Sequence, residues 1–222
     1  GAGSFRKRLV VNPRVDWTTE FAVFRTDSAQ KPFLTQTEQD VVMEIIGEGT
    51  ELLSRKRTGD TIDVIGPLGN GFSFTWSTVH SPQFTVLIAG GVGIAPLVAL
   101  AEALVHGPCP AGRQARSMAR SKNKKMYVLI GSCKKEQILC ANDFKKLDAE
   151  VILYTEDGSL GKKGLVTDGL NSLLWTMDHE LSTIYACGPI AMLKVVAKIA
   201  EAKRVPCQVS MEERMACGVG VC

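Results

Sequence analysis

The chain has 222 residues, of which 45% are hydrophobic and 22% charged, and its formal net charge is +3. This composition is typical of a globular protein with a buried core. The weak charge does not favour nucleic acid or an anionic membrane surface as a partner, and no apolar run is long enough to cross a bilayer. There are seven cysteines and no secretory signal pattern, so we expect a reducing cytoplasm rather than a disulfide framework.

Short segments rich in valine, isoleucine and phenylalanine fill the first third of the chain. The runs "FAVFRT", "DVVMEIIG" and "DTIDVIG" predict strands, with turn formers between them. A helical turn or two is expected only near "GTELLSRK". The spacing predicts a small antiparallel barrel or sandwich over residues 1–80.

Strands and helices alternate after Pro82. The predicted strands are "FTVLIAG", "KMYVLIGS", "EVILYTED", "STIYACGP" and "VPCQVSM". The predicted helices between them are "APLVALAEALVHG", "QILCANDFKKL", "LVTDGLNSLLW" and "IAMLKVVAKIAEAKR", the last with Met192, Val196 and Ile199 on one face and Val195 and Ala200 beside it. This alternation predicts an α/β domain with an open parallel sheet over residues 81–209, after a boundary near 76–83.

A glycine-rich turn follows the first of these strands. In "IAGGVGIAP", residues 88–96, Gly90, Gly91 and Gly93 allow a tight turn and close approach of a ligand. The helix that begins near Ala95 and Pro96 would direct unpaired N–H groups at that turn, which suits a pyrophosphate. The alternative is a sharp turn that binds nothing, but the strand–turn–helix context favours a nucleotide.

Two further loops are weaker candidates. In "YACGP", Cys187, Gly188 and Pro189 stand at the carboxyl end of a later strand, where open sheets bind ligands. Cys187 is interpreted either as a buried small hydrophobe or as a neighbour of a nicotinamide. In "IIGEGTELLS", Gly49 and Thr50 could hold a phosphate, or the segment could be a glycine-stabilised β-turn.

The last residues, "SMEERMACGVGVC", contain Cys217 and Cys222 in a C-x4-C pattern with glycines between them. This spacing is that of the first two ligands of plant-type iron–sulfur loops. Zinc is the alternative, and neither metal would be fully ligated by these two thiolates. Cys207 is a conceivable third thiolate, but its position in a predicted strand favours the core.

Six stretches together carry a resemblance to a known family: "GEGTELLS", "GDTIDVIGPLGNGF", "AGGVGIAPL", "EDGSLGKKGLVTD", "YACGP" and "SMEERMACGVGVC". From about Phe21 to Cys222 the chain resembles the electron-transfer subunits of bacterial type B dihydroorotate dehydrogenases, within the ferredoxin–NADP reductase superfamily. The resemblance implies an FAD-binding barrel, an NAD domain and a [2Fe–2S] segment at residues 210–222. It also implies a hetero-oligomer with an FMN-containing catalytic subunit that oxidises dihydroorotate in pyrimidine biosynthesis, while this subunit reduces NAD+.

The resemblance also implies the residues that bind each cofactor, and it implies no catalytic side chain. For FAD they are Lys31, Pro32, Phe33, Leu34, Val42, Met43, Glu44, Gly49 and Thr50, with Lys31, Leu34 and Glu44 departing from the family's usual Arg, Ser and basic or neutral residue. For NAD they are Gly90, Gly91, Gly93, Pro96, Asp157, Cys187, Gly188 and Pro189. Cys217 and Cys222 match the first two cluster ligands, and the family's third and fourth would lie beyond Cys222.

Three alternatives remain open at this point. The same reductase chemistry could serve another partner, of hydrogenase or glutamate synthase type. The departures in the flavin motif are also compatible with a non-catalytic nucleotide-binding module. Finally, Lys134 and Lys135 could accept the 2′-phosphate of NADPH, although the resemblance favours NADH.

Overall fold

A computed structural model describes residues 5–12, 21–27, 39–44, 47–57, 60–66, 71–73, 84–106, 125–176 and 182–211. The chain divides into two compact units. The first unit comprises Gly1–Gly71 together with Glu213–Cys222, and the second unit is Phe72–Glu212. The predicted boundary at 76–83 lies outside the described residues, so the predicted domain limits at residues 80 and 209 stay predictions.

The first unit contains an antiparallel sheet, as the sequence predicts. Its four described strands lie in the order β3-β2-β1-β4, and every pairing is antiparallel. The elements are β1 Phe5–Asn12, β2 Phe21–Asp27, β3 Gln39–Glu44, α1 Glu48–Ser54 and β4 Thr61–Gly66.

Strand β1 was not expected from the sequence. Its residues 6–8 are Arg-Lys-Arg, which interrupt the apolar pattern by which strands are recognised. Pairing with two neighbours stabilises this strand despite its charged residues, because β1 lies between β2 and β4. Val10 pairs with Asp27 on one side and with Thr61 on the other. Backbone hydrogen bonds to both neighbours therefore define this strand.

The second unit contains the predicted parallel sheet. Its six described strands lie in the order β10-β9-β5-β6-β7-β8, and every pairing is parallel. The elements are β5 Phe84–Gly90, α2 Ile94–His106, β6 Lys125–Ser132, α3 Ala141–Lys146, β7 Glu150–Thr155, β8 Lys162–Lys163, α4 Val166–Thr176, β9 Ser182–Gly188, α5 Ile190–Lys203 and β10 Cys207–Met211. Among the described strands of this unit, the two-residue β8 was the one not expected, because it is too short for any periodic pattern.

The core of the second unit follows from the continuous apolar strands. Val86 to Ala89 of β5 are fully buried, as expected of a strand covered on both faces. In α5 the buried residues are Leu193, Val196 and Ala200, whereas Val195 is 42% exposed. The sequence interpretation was right about Val196 and Ala200, and Met192 and Ile199 are partly buried against the same core. It missed Leu193 and wrongly included Val195. Among the described helices, none has the length and apolarity that a membrane span requires.

Candidate functional site

Two loops that the sequence singled out meet at one edge of the parallel sheet. Strands β5 and β9 are neighbours, with Ala89 opposite Cys187, so both end at the same edge. A Cβ added at Gly93 would lie 2.5 Å from the carbonyl oxygen of Cys187. One added at Gly188 would lie 2.9 Å from the nitrogen of Gly90. We call these two touching loops, Gly90–Gly93 and Cys187–Pro189, the glycine corner.

The glycines of the corner have different roles. A Cβ at Gly90 would meet Cδ of Pro189 at 2.8 Å and Sδ of Met192 at 2.9 Å. Packing therefore accounts for Gly90 and Gly93, whereas Gly188 combines close packing with a φ of +149° that favours glycine. Gly91 has φ of +55°, and no described atom lies within 4 Å of its added Cβ. Gly91 is thus the residue of the corner whose backbone is open to close approach.

Helix α2 starts directly from the corner. Gly91–Gly93 form a 3₁₀ turn, and the N–H of Ile94 closes it onto the carbonyls of Gly91 and Val92. The helix then runs for 13 residues. Pro96 lies exposed in its first turn, where a missing N–H removes no intrahelical hydrogen bond. The positive end of the helix dipole therefore lies beside Gly91, which suits a phosphate group.

Cys187 is buried within β9, with 3% of its surface exposed. Its burial accords with the interpretation of a small hydrophobic residue. The alternative role beside a nicotinamide stays a prediction, as does the binding role of each residue predicted for the site.

Asp157 follows β7, two strands away from β5 at the same edge, or roughly 10 Å along the sheet. The backbone N–H and the hydroxyl of Ser159 donate to Oδ1 of Asp157 at 2.9 and 2.6 Å. These bonds, the hydroxyl first, lower the pKa of the Asp157 carboxyl. The N–H of Lys135 donates to the Ser159 hydroxyl oxygen at 2.9 Å. The loop after β6 is therefore tied to the loop after β7.

Thr155 fixes the base of that loop and was missed by the sequence interpretation. It is fully buried, its hydroxyl donates to the carbonyl of Leu160 at 2.8 Å, and it accepts from the N–H of Leu160 at 3.1 Å. A threonine followed by "EDGSLG" is a recognisable turn signal, since Asp, Ser and Gly favour side-chain-closed turns.

Glu156 is a second residue that the sequence interpretation missed. Its Oε1 accepts from the Cys133 thiol at 3.7 Å. Partial burial, and then the charge of Glu156, raise the pKa of the Cys133 thiol. Lys135, for its part, has its ammonium 3.9 Å from a carboxylate oxygen of Glu136. Acidic side chains thus stand beside the lysines considered for a 2′-phosphate.

The candidates for flavin binding are described only in part. Gly49 and Thr50 lie in the first turn of α1, so the segment is helical rather than a simple β-turn. The Thr50 hydroxyl donates to the Gly47 carbonyl at 2.9 Å and accepts from the Gly47 N–H at 3.2 Å. For Val42, Met43 and Glu44 only the backbone is described, in β3 opposite Val23, Ala22 and Phe21.

Two sets of predicted site residues lie outside the described residues: the flavin candidates Lys31, Pro32, Phe33 and Leu34, and the cluster candidates Cys217 and Cys222. Within the described ranges, no group of three or more histidine, cysteine or acidic side chains could hold a metal ion.

Curated relatives bear out the resemblance found in the sequence. The dihydroorotate dehydrogenase B (NAD+) electron transfer subunit of Desulforamulus reducens is 36% identical over 184 residues, covering 82% of this chain and 62% of the relative. The subunit of the same name from Geobacillus sp. (strain WCH70) is 38% identical, covering 79% of this chain and 59% of the relative. The chain therefore spans about three fifths of the length of these relatives.

Solved structures share the fold. The NADH-dependent reduced ferredoxin-NADP oxidoreductase superposes with a TM-score of 0.69 at 24% identity, over 96% of this chain and 79% of that one. The CS-b5R domains of human Ncb5or, in the NAD+ form, give a TM-score of 0.69 at 16% identity, over 94% of this chain and 70% of that one. Both confirm the predicted combination of an antiparallel and a parallel sheet in one reductase-type fold.

The family model for the oxidoreductase NAD-binding domain matches residues 87–198, just over half of the chain. The match begins inside β5, includes every residue of the glycine corner and the Asp157 loop, and ends in α5. The chain belongs to the oxidoreductase NAD-binding domain family.

Proposed function

We propose that the chain is the electron-transfer part of a type B dihydroorotate dehydrogenase. It would pass electrons between an FMN-containing catalytic subunit, which oxidises dihydroorotate, and NAD, by way of a [2Fe–2S] cluster and FAD. The relatives at 36% and 38% identity carry the name of that subunit. The observation that carries the proposal is the glycine corner, where one open backbone position lies beside the first turn of a long helix.

The residues of the corner would bind the dinucleotide through its diphosphate. Gly91 leaves room for phosphate oxygens next to its backbone, with no described atom within 4 Å of an added Cβ. Helix α2 contributes N–H groups and the positive end of its dipole. The buried corner residues Gly90, Gly93 and Gly188 would hold this backbone rigid, because any Cβ there meets another atom. The chain's own part in the chemistry is therefore to position the cofactor and exclude water.

We propose NADH rather than NADPH as the dinucleotide. In sheets of this kind an acidic residue beyond the glycine turn accepts a hydrogen bond from the ribose hydroxyl, and a carboxylate repels a 2′-phosphate. Glu156 and Asp157 supply carboxylates at this edge, and Glu136 stands 3.9 Å from the ammonium of Lys135. Reduction assays with each nucleotide should give the lower KM with NADH.

We propose that FAD is held by Lys31–Leu34, by Val42–Glu44 and by Gly49 with Thr50. Gly49 supports this assignment, since no described atom lies within 4 Å of its added Cβ. FAD, when bound, converts a two-electron hydride transfer into single-electron transfers. Equilibrium dialysis with FAD tests this site: we expect one FAD per chain, and no binding would contradict the assignment.

Cys217 and Cys222 would be two of the cluster ligands, because thiolates are the ligands of [2Fe–2S] centres.

The partner is best tested by affinity purification of the chain from its native host under anaerobic conditions. We expect an FMN-containing dehydrogenase that reduces NAD+ when dihydroorotate is added. Recovery of a hydrogenase or a glutamate synthase instead would contradict the dihydroorotate assignment. We also place the complex in the cytoplasm, since the free thiols of Cys133 and Cys207 suit a reducing compartment.

A further inference from the structure

A side-chain amide clamps a piece of backbone in the second unit. The Ser73 N–H donates to Oε1 of Gln208 at 2.8 Å, and Nε2 of Gln208 donates to the Ser73 carbonyl at 2.6 Å. The amide thus satisfies both polar groups of the Ser73 backbone, as a neighbouring strand would. The two residues are 135 positions apart, so this contact belongs to the tertiary fold.

Tyr185 of β9 supports the same contact. Its hydroxyl donates to the Ser73 carbonyl at 3.5 Å, and the ring of Phe72 meets the ring of Tyr185 edge to face at 5.5 Å. Tyr185 is 4% exposed, and burial raises the pKa of its phenol, so the hydroxyl stays a donor at neutral pH. Phe72 and Ser73 are therefore held by one ring contact and three hydrogen bonds.

The clamp lies where the chain passes between its two units. The first unit ends at Gly71 and the second begins at Phe72. The second unit ends at Glu212, shortly after Gln208 in β10. Gln208 therefore joins the segment that begins the second unit to the strand that ends it.

We propose that Gln208 is a positioning residue for electron transfer, because it fixes the segment Phe72–Ser73, with which the second unit begins, on the parallel sheet. The inference rests on the proposed function, in which this segment leads from the residues assigned to FAD to those assigned to NADH. Without the clamp, NADH would still bind the glycine corner with the same affinity. Flavin reduction, in which a hydride passes from NADH to FAD and leaves NAD+ and reduced flavin, would become slower because the segment that leads from the FAD residues into the NADH-binding unit is no longer held.

Three variants of the full chain test this inference. Gln208→Leu removes both hydrogen bonds, Gln208→Glu keeps the shape of the side chain, and Val209→Ala is the control on the same strand. For Gln208→Leu we expect the rate of amide hydrogen exchange at Ser73 to rise about tenfold, because the Ser73 N–H loses its hydrogen bond. We also expect kcat for flavin reduction to fall severalfold with an unchanged KM for NADH. Val209→Ala should match the wild type in both measurements.

Gln208→Glu adds a pH signature that a purely structural defect would lack. A neutral carboxyl can donate to the Ser73 carbonyl and accept from its N–H, whereas a carboxylate has no donor. The pKa of this carboxyl should rise above the usual value of about 4.3. The bond to the Ser73 carbonyl is then present at low pH and lost as pH rises through that pKa, whereas the bond from the Ser73 N–H is kept. Tyr185, whose hydroxyl contacts Ser73, and Cys207, which precedes Gln208 in β10, both have pKa values raised by burial and stay protonated from acid to neutral pH. Flavin reduction by this variant, relative to wild type at each pH, should therefore recover on acidification.

The outcomes separate this inference from the proposed function. Equal exchange at Ser73 in Gln208→Leu and wild type would overturn the clamp, and an unchanged rate of flavin reduction would overturn its positioning role. A wild-type chain that binds no FAD would contradict the proposed function, and exchange at Ser73 would then still decide whether the clamp exists.

Discussion

Gly93 and Cys187 are in backbone contact: a Cβ on Gly93 would lie 2.5 Å from the carbonyl oxygen of Cys187 and 2.6 Å from its carbonyl carbon. Real Cβ atoms do not approach backbone this closely, so no side chain fits at residue 93 without movement of β9. The contact joins the turn after β5 to the end of β9. It makes the two halves of the glycine corner one rigid unit.

Gly93→Ala should therefore destabilise the protein. Overpacking against backbone should lower the free energy of unfolding by about 3 kcal/mol, at the upper end of the usual range. Urea unfolding followed by circular dichroism measures the change. Gly49→Ala is the control, because no described atom lies within 4 Å of that position and Ala favours helix. The control should raise stability by about 0.5–1 kcal/mol, and equal effects of the two changes would contradict the packing argument.

Gly91→Ala should impair nucleotide binding more than folding. Residue 91 has φ of +55°, so Ala costs about 1–2 kcal/mol in backbone strain. The added methyl would also occupy the open space proposed for the diphosphate. Calorimetric titration should show a Kd for NADH raised more than tenfold, with an unchanged Kd for FAD. Equal weakening of both would indicate general damage, and unchanged NADH binding would remove Gly91 from the site.

Thr155→Val should loosen the Asp157 loop. The substitution keeps the shape of a fully buried side chain but leaves the N–H and carbonyl of Leu160 without the hydroxyl. Leaving such groups unpaired costs about 1–3 kcal/mol of stability. Thermal unfolding measures the loss, and Thr155→Ser, which keeps the hydroxyl, should retain most of the stability. Equal losses of thermal stability in the two variants would show that the hydroxyl does not stabilise the loop.

The pKa of Asp157 should depend on Ser159. The Ser159 hydroxyl, followed by its N–H, lowers the pKa of this carboxyl below the ordinary value. Because the folded pKa lies below the unfolded one, the stabilisation is present above the unfolded pKa and lost as pH falls through the folded pKa, in the acid range below about pH 4.

Ser159→Ala should raise the pKa of Asp157 back toward its ordinary value, whereas Ser159→Thr should keep it low. Carbon-13 NMR titration of the Asp157 carboxyl measures both. No difference between the Ala and Thr variants would mean that the hydroxyl does not govern this pKa.

The parallel sheet was predictable from its continuous apolar strands. Residues 86–89 are buried on both faces of the sheet, so no polar residue interrupts the apolar run by which the strand is recognised. Strand β1 was not predictable, because Arg-Lys-Arg at residues 6–8 breaks the apolar pattern, and the strand is recognised only by its pairing with neighbouring strands. The glycine corner was found as two motifs, yet the sequence could not distinguish packing at Gly93 from openness at Gly91. The pairing of Ser73 with Gln208 left no signal, because a contact over 135 residues has no periodicity.

Anaerobic stopped-flow absorbance with FAD-reconstituted chain and NADH tests the central claim most directly. The glycine corner and the flavin candidates together predict that NADH bleaches the flavin absorbance in a reaction that saturates with NADH, and that Gly91→Ala shifts this saturation to higher concentrations. A flavin that binds but stays oxidised in excess NADH, or one that bleaches identically in Gly91→Ala, would contradict the account.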